Sequence, residues 1–305
     1  MQGLTAEQER EQLVMFNTYD RKDFWRRIYN KLVVRGIEVD DNDARILHNL
    51  IEGVEWMECI PSSVLASLKL KYASLKGVKG PDDELIDKDV YRTVQAKRPT
   101  EFDALLNFHE KEKTKFARSM HNILSAASIV HDFGYCQGIN YIVDVLLKIG
   151  VKEEDSFCLL MFGLWNRGIW GVFRKDVPVL QDFMTEFEAI LKDNLPELAK
   201  HLEEEGFTAS LYSMEWFTTL FALSCSPKLT LAVWDLFFHG AKDGLLRVAL
   251  ACMVEMQEQL LDMDLEGLLT RFRTLACQVD AEEVVLLALD LDLDPPREGA
   301  AGAQR

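Results

Sequence analysis

Apolar residues recur along most of this chain at helical spacing. Leu229, Ala232, Val233, Leu236 and Phe237 fall at i, i+3, i+4, i+7 and i+8, which predicts one apolar helix face. Ser226-Pro227 ahead of them is a strong N-cap and first-turn pair, and Gly240 supplies a stop. Leu246, Ala249, Leu250, Met253, Val254, Leu260 and Leu261 repeat the pattern in the next segment. Glu153-Glu154-Asp155-Ser156 predicts a helix start, because carboxylates there oppose the helix dipole, with Phe157 to Trp165 as the apolar body. Sustained period-two alternation of β-branched residues is missing, so the fold class read from the pattern is all-α. No repeat of 20 to 50 residues is evident, which disfavours a solenoid. Loops are expected at Lys76 to Asp83, Asp132 to Gly134 and Gly168 to Pro178, and a disordered tail over 294–305, which is rich in Pro, Gly and Ala.

Composition narrows the class of protein. At 305 residues, 48% hydrophobic and 28% charged, the chain has the make-up of a soluble globular protein with a large core. Its opening, Met1 to Arg10, is polar, and runs such as Val143 to Leu147 are too short to span a bilayer, so a cytoplasmic protein without a transmembrane segment is expected. Six cysteines (59, 136, 158, 225, 252 and 277) are spread without a Cys-x-x-Cys pair, the pattern of reduced thiols rather than of a disulfide framework or zinc site. A net charge of −16 argues against nucleic acid as partner, since phosphate binding wants a basic surface, and against simple adsorption to anionic lipid. The charge is uneven. Between Glu84 and Arg118 eight basic residues meet seven acidic ones, giving a nearly neutral stretch that an ordinary mixed helix face also explains.

Two residues stand out chemically. Arg92 ends Ile86-Asp87-Lys88-Asp89-Val90-Tyr91-Arg92, and Gln137 lies in Tyr135-Cys136-Gln137-Gly138. Hydrolysis of GTP calls for both side-chain types: a guanidinium neutralises charge developing on the γ-phosphate and a glutamine orients the attacking water. The chain has no Gly-x-x-x-x-Gly-Lys-[Ser/Thr] run to cradle a nucleotide and its Mg²⁺, so the pair makes sense as groups lent to another protein's active site. Asp89, three residues before Arg92, can hold the guanidinium, whose planar fork contacts two oxygens at once. The alternative is a surface Asp–Arg pair of a few tenths of a kcal/mol. Gly138 permits either close approach of a partner's backbone or a tight turn into the following helix, where Gln137 projects outward or serves as a cap amide. Tyr135 reads as a packing or positioning residue rather than a general acid. Cys136 with nearby His131 and Asp132 raises a Cys-His hydrolase, but that needs a hydrogen-bonded histidine and a lowered thiol pKa, and nearness in sequence establishes neither. His109-Glu110 does not extend to a zinc-protease motif, no metal site is expected, and Trp165, Trp170, Trp216 and Trp234 read as core.

The spacing of these motifs resembles the TBC domain of Rab GTPase-activating proteins. Ile-x-x-Asp-x-x-Arg, then Tyr-Cys-Gln-Gly some forty-five residues on, are followed in the family's order by Pro196 to Leu202, Trp216-Phe217 with Phe221, and Trp234-Asp235 before Gly240. The resemblance runs from roughly residue 45 to 290. It implies an all-α TBC fold of two helical subdomains: an extension over 1–20, a domain over 21–293 divided at 178/179 with its seam near Val177 to Phe183, then the tail. It implies Arg92 as arginine finger and Gln137 as glutamine finger, with Ile86, Asp89, Tyr135, Cys136 and Gly138 in support. The partner would be a GTP-loaded Rab-type GTPase that brings GTP and Mg²⁺, since this chain has no cofactor of its own, and recruitment to membranes would run through that partner. A non-catalytic Rab-GTP-binding effector or scaffold is the alternative. One departure stands out. The family's Pro-x-x-x-Arg-x-x-x-Trp reads here as Pro61, Leu65 and Lys69, which puts the packing of residues 45 to 75 in question and makes the Phe24-Trp25 helix the candidate to compensate.

Overall fold

The computed structural model describes residues 20–95, 110–130, 134–166 and 179–293. Among them are fourteen α-helices and one 3₁₀ turn, with no strand. In chain order these are α1 (Arg21–Arg35), α2 (Asp41–Glu52), the 3₁₀ turn (Trp56–Cys59), α3 (Ser62–Leu75), α4 (Asp83–Gln95), α5 (Glu110–Ile129), α6 (Ile139–Lys148) and α7 (Glu153–Asn166). The second half holds α8 (Val179–Asn194), α9 (Pro196–Glu204), α10 (Ala209–Thr219), α11 (Pro227–His239), α12 (Gly244–Leu261), α13 (Leu265–Gln278) and α14 (Ala281–Asp290). The extension, the tail, the Gly168 to Pro178 loop, Trp170, His131 and Asp132, and the first part of the expected seam lie outside the described residues.

Local signals place α11 where the spacing predicts. Ser226 Oγ accepts the Leu229 amide at 3.3 Å, Pro227 sits in the first turn, and Gly240 closes the helix at φ +82°. The packing goes further than a single face. Every residue from Leu229 to His239 is buried, because α2, the 3₁₀ turn, α12 and α14 surround the helix. The Asp243-Gly244 dipeptide, a hairpin signature in β proteins, here opens α12, with Asp243 at φ +50°. Ser156 to Leu164 of α7 are likewise buried on all sides.

A helix buried all round must satisfy any charge it carries. Asp235 does so with donors from the start of the chain. Trp25 Nε1 and Trp56 Nε1 each donate to one of its oxygens at 2.7 Å, and Arg21 Nη2 forms an ion pair at 2.6 Å. Trp56 also packs on Trp234 and Phe238, with ring centroids 5.8 and 5.1 Å apart. α1 is thereby seated on α2 and α14, and its Arg27, Lys31 and Arg35 reinforce the join through ion pairs to Glu282 and Glu283.

The Phe24-Trp25 helix therefore packs away from α3 and does not take the place of the missing Arg and Trp there. α3 rests instead on α5 and α7. Leu65 is half-buried against the core, and Lys69 reaches the first turn of α7, 3.4 Å from Glu154 and 3.1 Å from Asp155. One turn on, Tyr72 donates its hydroxyl to Glu153, which also accepts from Ser119 (2.6 Å) and Asn122 (3.1 Å) and pairs with Lys76 (2.9 Å). Burial pushes the Glu153 carboxyl up, but these donors outweigh it and hold its pKa at about 2. Trp216 and Trp234 are fully buried as expected, whereas Trp165 is only half-buried.

Candidate functional site

Helix α4 and the segment 134–140 carry the two singled-out motifs. α4 follows directly on Asp82, whose carbonyl accepts the Ile86 amide at 2.9 Å, and Asp83 and Glu84 occupy its first turn. Its buried stripe is Ile86, Asp89, Val90 and Thr93, at i, i+3, i+4 and i+7. Ile86 thus anchors the helix in the core. Arg92 lies off that stripe: its side chain is 72% exposed, while that of Asp89 is 4% exposed. Arg92 Nη1 stands 3.5 Å from Asp89 Oδ1, the i, i+3 contact read from the spacing.

The other oxygen of Asp89 is taken by the second motif. Tyr135 donates its hydroxyl to Asp89 Oδ2 at 3.0 Å across 46 residues of sequence. Burial first, and the Asp89 carboxylate next, push the Tyr135 phenol far above its ordinary pKa. It keeps its proton and acts as a donor, which fits a positioning residue and not a general acid. Tyr135 also donates its backbone N–H to Asp82 Oδ2 at 2.7 Å. A further tie follows the motif: Asn140 Nδ2 donates to Thr93 Oγ1 at 2.8 Å, and Asn140 Oδ1 accepts the Gly138 amide at 2.9 Å. Residues one position after and three before Arg92 are therefore bonded to residues three after and two before Gln137.

Gln137 itself is exposed at the turn before α6. Gly138 closes that turn at φ +118°, a backbone state that L side chains rarely adopt. A Cβ there would stand 2.6 Å from the Thr218 carbonyl oxygen of α10. Of the two readings of Gly138, the structure shows the tight turn, and the backbone that comes close is the chain's own at Thr218 rather than a partner's. Cys136 is half-buried and points its thiol at the Gln137 carbonyl, 3.6 Å away. Its proposed partners His131 and Asp132 lie outside the described residues. All six cysteines are thiols, and no helix among the described residues is long and apolar enough to cross a membrane.

Sequence reasoning missed Asp82, Thr93, Asn140 and Thr218. Asp82 follows Gly80-Pro81 at the head of α4, which marks a helix start but not a bond to a segment 53 residues away. Asn140, two residues beyond Gly138, carried the best local signal, since a buried asparagine needs partners on both ends of its amide.

Fold and site together define an all-helical scaffold that presents an exposed arginine and an exposed glutamine from two bonded elements. Residues 21–261 match the model of the Rab-GTPase-TBC domain, and the chain belongs to that family. It is 28% identical over 254 residues to the human Ecotropic viral integration site 5 protein homolog, covering 82% of this chain and 30% of that protein. It is also 28% identical over 258 residues to the Rab GTPase-activating protein tbc-11 of Caenorhabditis elegans, covering 81% of this chain and 27% of that protein. The chain thus spans under a third of the length of these curated relatives. The crystal structure of the Chlamydomonas flagellar RabGAP TBC domain superposes with a TM-score of 0.61 at 19% identity, covering 95% of this chain and 96% of that one. The Ypt/Rab-GAP domain of Gyp1p gives 0.59 at 13% identity, covering 92% and 97%. These likenesses bear out the expected all-α TBC fold.

Proposed function

We propose that this chain is a GTPase-activating domain for a Rab-type small GTPase, to which it supplies Arg92 and Gln137 in trans. The observation that carries the reading is the bonded frame around two exposed side chains, Asp89–Tyr135 and Thr93–Asn140, with Arg92 and Gln137 both facing solvent. A binding surface alone does not call for an arginine and a glutamine held in register. A catalyst does, because groups fixed before the encounter lose little freedom in the transition state.

In this mechanism Arg92 turns from Asp89 toward the γ-phosphate and neutralises charge as the loose transition state forms. Gln137 orients the attacking water in place of the GTPase's own glutamine. The nucleotide and its Mg²⁺ are held by the GTPase, and membrane recruitment follows from that partner. Arginine-finger systems gain on the order of 10³–10⁵ in rate, roughly 4–7 kcal/mol of barrier.

The test is single-turnover phosphate release from a panel of GTP-loaded Rabs at saturating chain. At least one Rab is accelerated, and so is its variant lacking the switch-region glutamine. Gln137→Ala abolishes acceleration of that variant while affinity stays within several-fold. Tight binding without acceleration of any form overturns this reading in favour of an effector module.

A further inference from the structure

Asp82 lies outside both motifs, yet its carboxylate meets the segment that carries Gln137. It immediately precedes α4, its carbonyl accepts the Ile86 amide at 2.9 Å, and it stands seven residues before Asp89. Two turns of helix separate them, a rise of about 10 Å. Tyr135 spans that rise: its backbone N–H bonds Asp82 Oδ2 at 2.7 Å, and its phenol bonds Asp89 Oδ2 at 3.0 Å. The side chain is laid along α4 and fastened at both ends.

Tyr135 is followed by only Cys136 and Gln137 before Gly138, whose amide is bonded to Asn140 and which lies close against the Thr218 backbone. Gln137 therefore hangs between two pinned points. If the upstream pin is lost, Tyr135 can still pivot about its phenol, and the backbone leading to Gln137 moves with it. Gly134, the residue before Tyr135, sits at φ +68° with its amide bonded to the Ser128 carbonyl at 3.1 Å, and a Cβ on it would come within 3.6 Å of Asp82 Oδ2. The entry to the segment thus runs beside the same carboxylate at ordinary contact distance.

We propose that Asp82 is a positioning residue for Gln137. By fixing the backbone of Tyr135 to the head of α4, it sets where the glutamine amide stands relative to Arg92. This inference rests on the proposed role of Gln137 in trans. A carboxylate suits the task because it accepts a charge-assisted bond, shorter and stronger than a neutral one, and is itself favoured at a helix N-terminus.

The experiment is a double-mutant cycle on the full chain, with a stimulated GTP-loaded Rab as substrate and amide hydrogen exchange on the chain alone. Asp82→Ala lowers stimulated kcat by about ten-fold or more, as a misplaced group of this kind does, with KM within about three-fold. In the Gln137→Ala background the same substitution costs less than about two-fold. The Tyr135 amide exchanges faster, by at least about ten-fold, while amides in the middle of α11 keep their protection. Asp82→Asn, which is still a good N-cap and keeps the shape, falls between wild type and alanine and guards against a folding artefact. Unchanged kcat in Asp82→Ala, or a loss equally large with and without Gln137, overturns the inference and leaves the activating role standing. A wild-type chain that accelerates no Rab overturns both.

Discussion

Replacing Gly138 with alanine adds one methyl group at the most constrained point of the site. Its Cβ would lie 2.6 Å from the Thr218 carbonyl oxygen and 3.2 Å from the Thr218 carbonyl carbon and Cβ. Two of these three are backbone atoms near the end of α10 and cannot rotate away. The residue would also hold φ at +118°, where an L side chain is strained whatever the space around it. Strain of this kind costs of order 1–3 kcal/mol, and parting α6 from α10 adds packing loss, so a total of about 2–4 kcal/mol is expected. For a domain of this size that lowers the melting temperature by roughly 3–7 °C. The movement falls on the start of α6, next to Gln137, so stimulated kcat drops more than affinity for the GTPase does. Differential scanning calorimetry with single-turnover hydrolysis on the same preparations measures both. An alanine variant that melts within 1 °C of wild type and retains full stimulation refutes both the close approach and the placement of Gln137 that follows from it.

Two further outcomes follow. Arg92→Lys keeps the charge but loses the planar fork, so stimulation falls by at least about 10²-fold while the melting temperature is unchanged, the side chain being exposed; near-normal stimulation by the lysine variant removes Arg92 from the mechanism. The Glu153 carboxyl has an ordinary value of 4.5 and a folded value of about 2, so its contribution to stability is complete above 4.5 and is lost as pH falls toward 2. Urea midpoints of wild type and Glu153→Gln at pH 6 and pH 3 test this: the wild type loses more on acidification, by on the order of 1–2 kcal/mol given the partial exposure of the group, and equal losses contradict it.

Local chemistry decides how much of the fold can be read from the chain. Ser226, Pro227 and Gly240 act within a few residues of themselves, which is why the limits of α11 follow from sequence alone. The depth of its burial does not. An apolar stripe predicts one covered face, and only the arrival of α2, α12 and α14 covers the rest. The partners of Asp235 lie 210 and 179 residues away, and spacing has no signature for bonds of that length. The Pro61 region illustrates the converse: absence of the family's Arg and Trp raises the question of what braces α3, but the answer, Lys69 on the head of α7 and a four-donor cluster at Glu153, lies in the tertiary arrangement.

The site divides in the same way. Arg92 and Gln137 stand out in the sequence because the order and spacing of their two motifs resemble a family's, and Asp89 because it sits one helical turn from Arg92. The frame that joins them does not, since it is made of buried polar groups paired across about fifty residues. That choice of material has a physical reason. Buried aspartates join distant parts of the described chain at three places: Asp43 to Arg247, Asp235 to Trp25, Trp56 and Arg21, and Asp89 to Tyr135. Apolar contacts tolerate sliding, whereas a buried carboxylate left without its donor is strongly destabilising, so each such join admits one geometry. Asp43 and Asp235 tie parts that remain inside the protein. Among the three, Asp89 also faces an exposed guanidinium: one oxygen is kept by Tyr135 at 3.0 Å, while the other stands 3.5 Å from Arg92 Nη1, at the long limit of a hydrogen bond, so the buried join holds the helix and leaves the guanidinium loosely tethered.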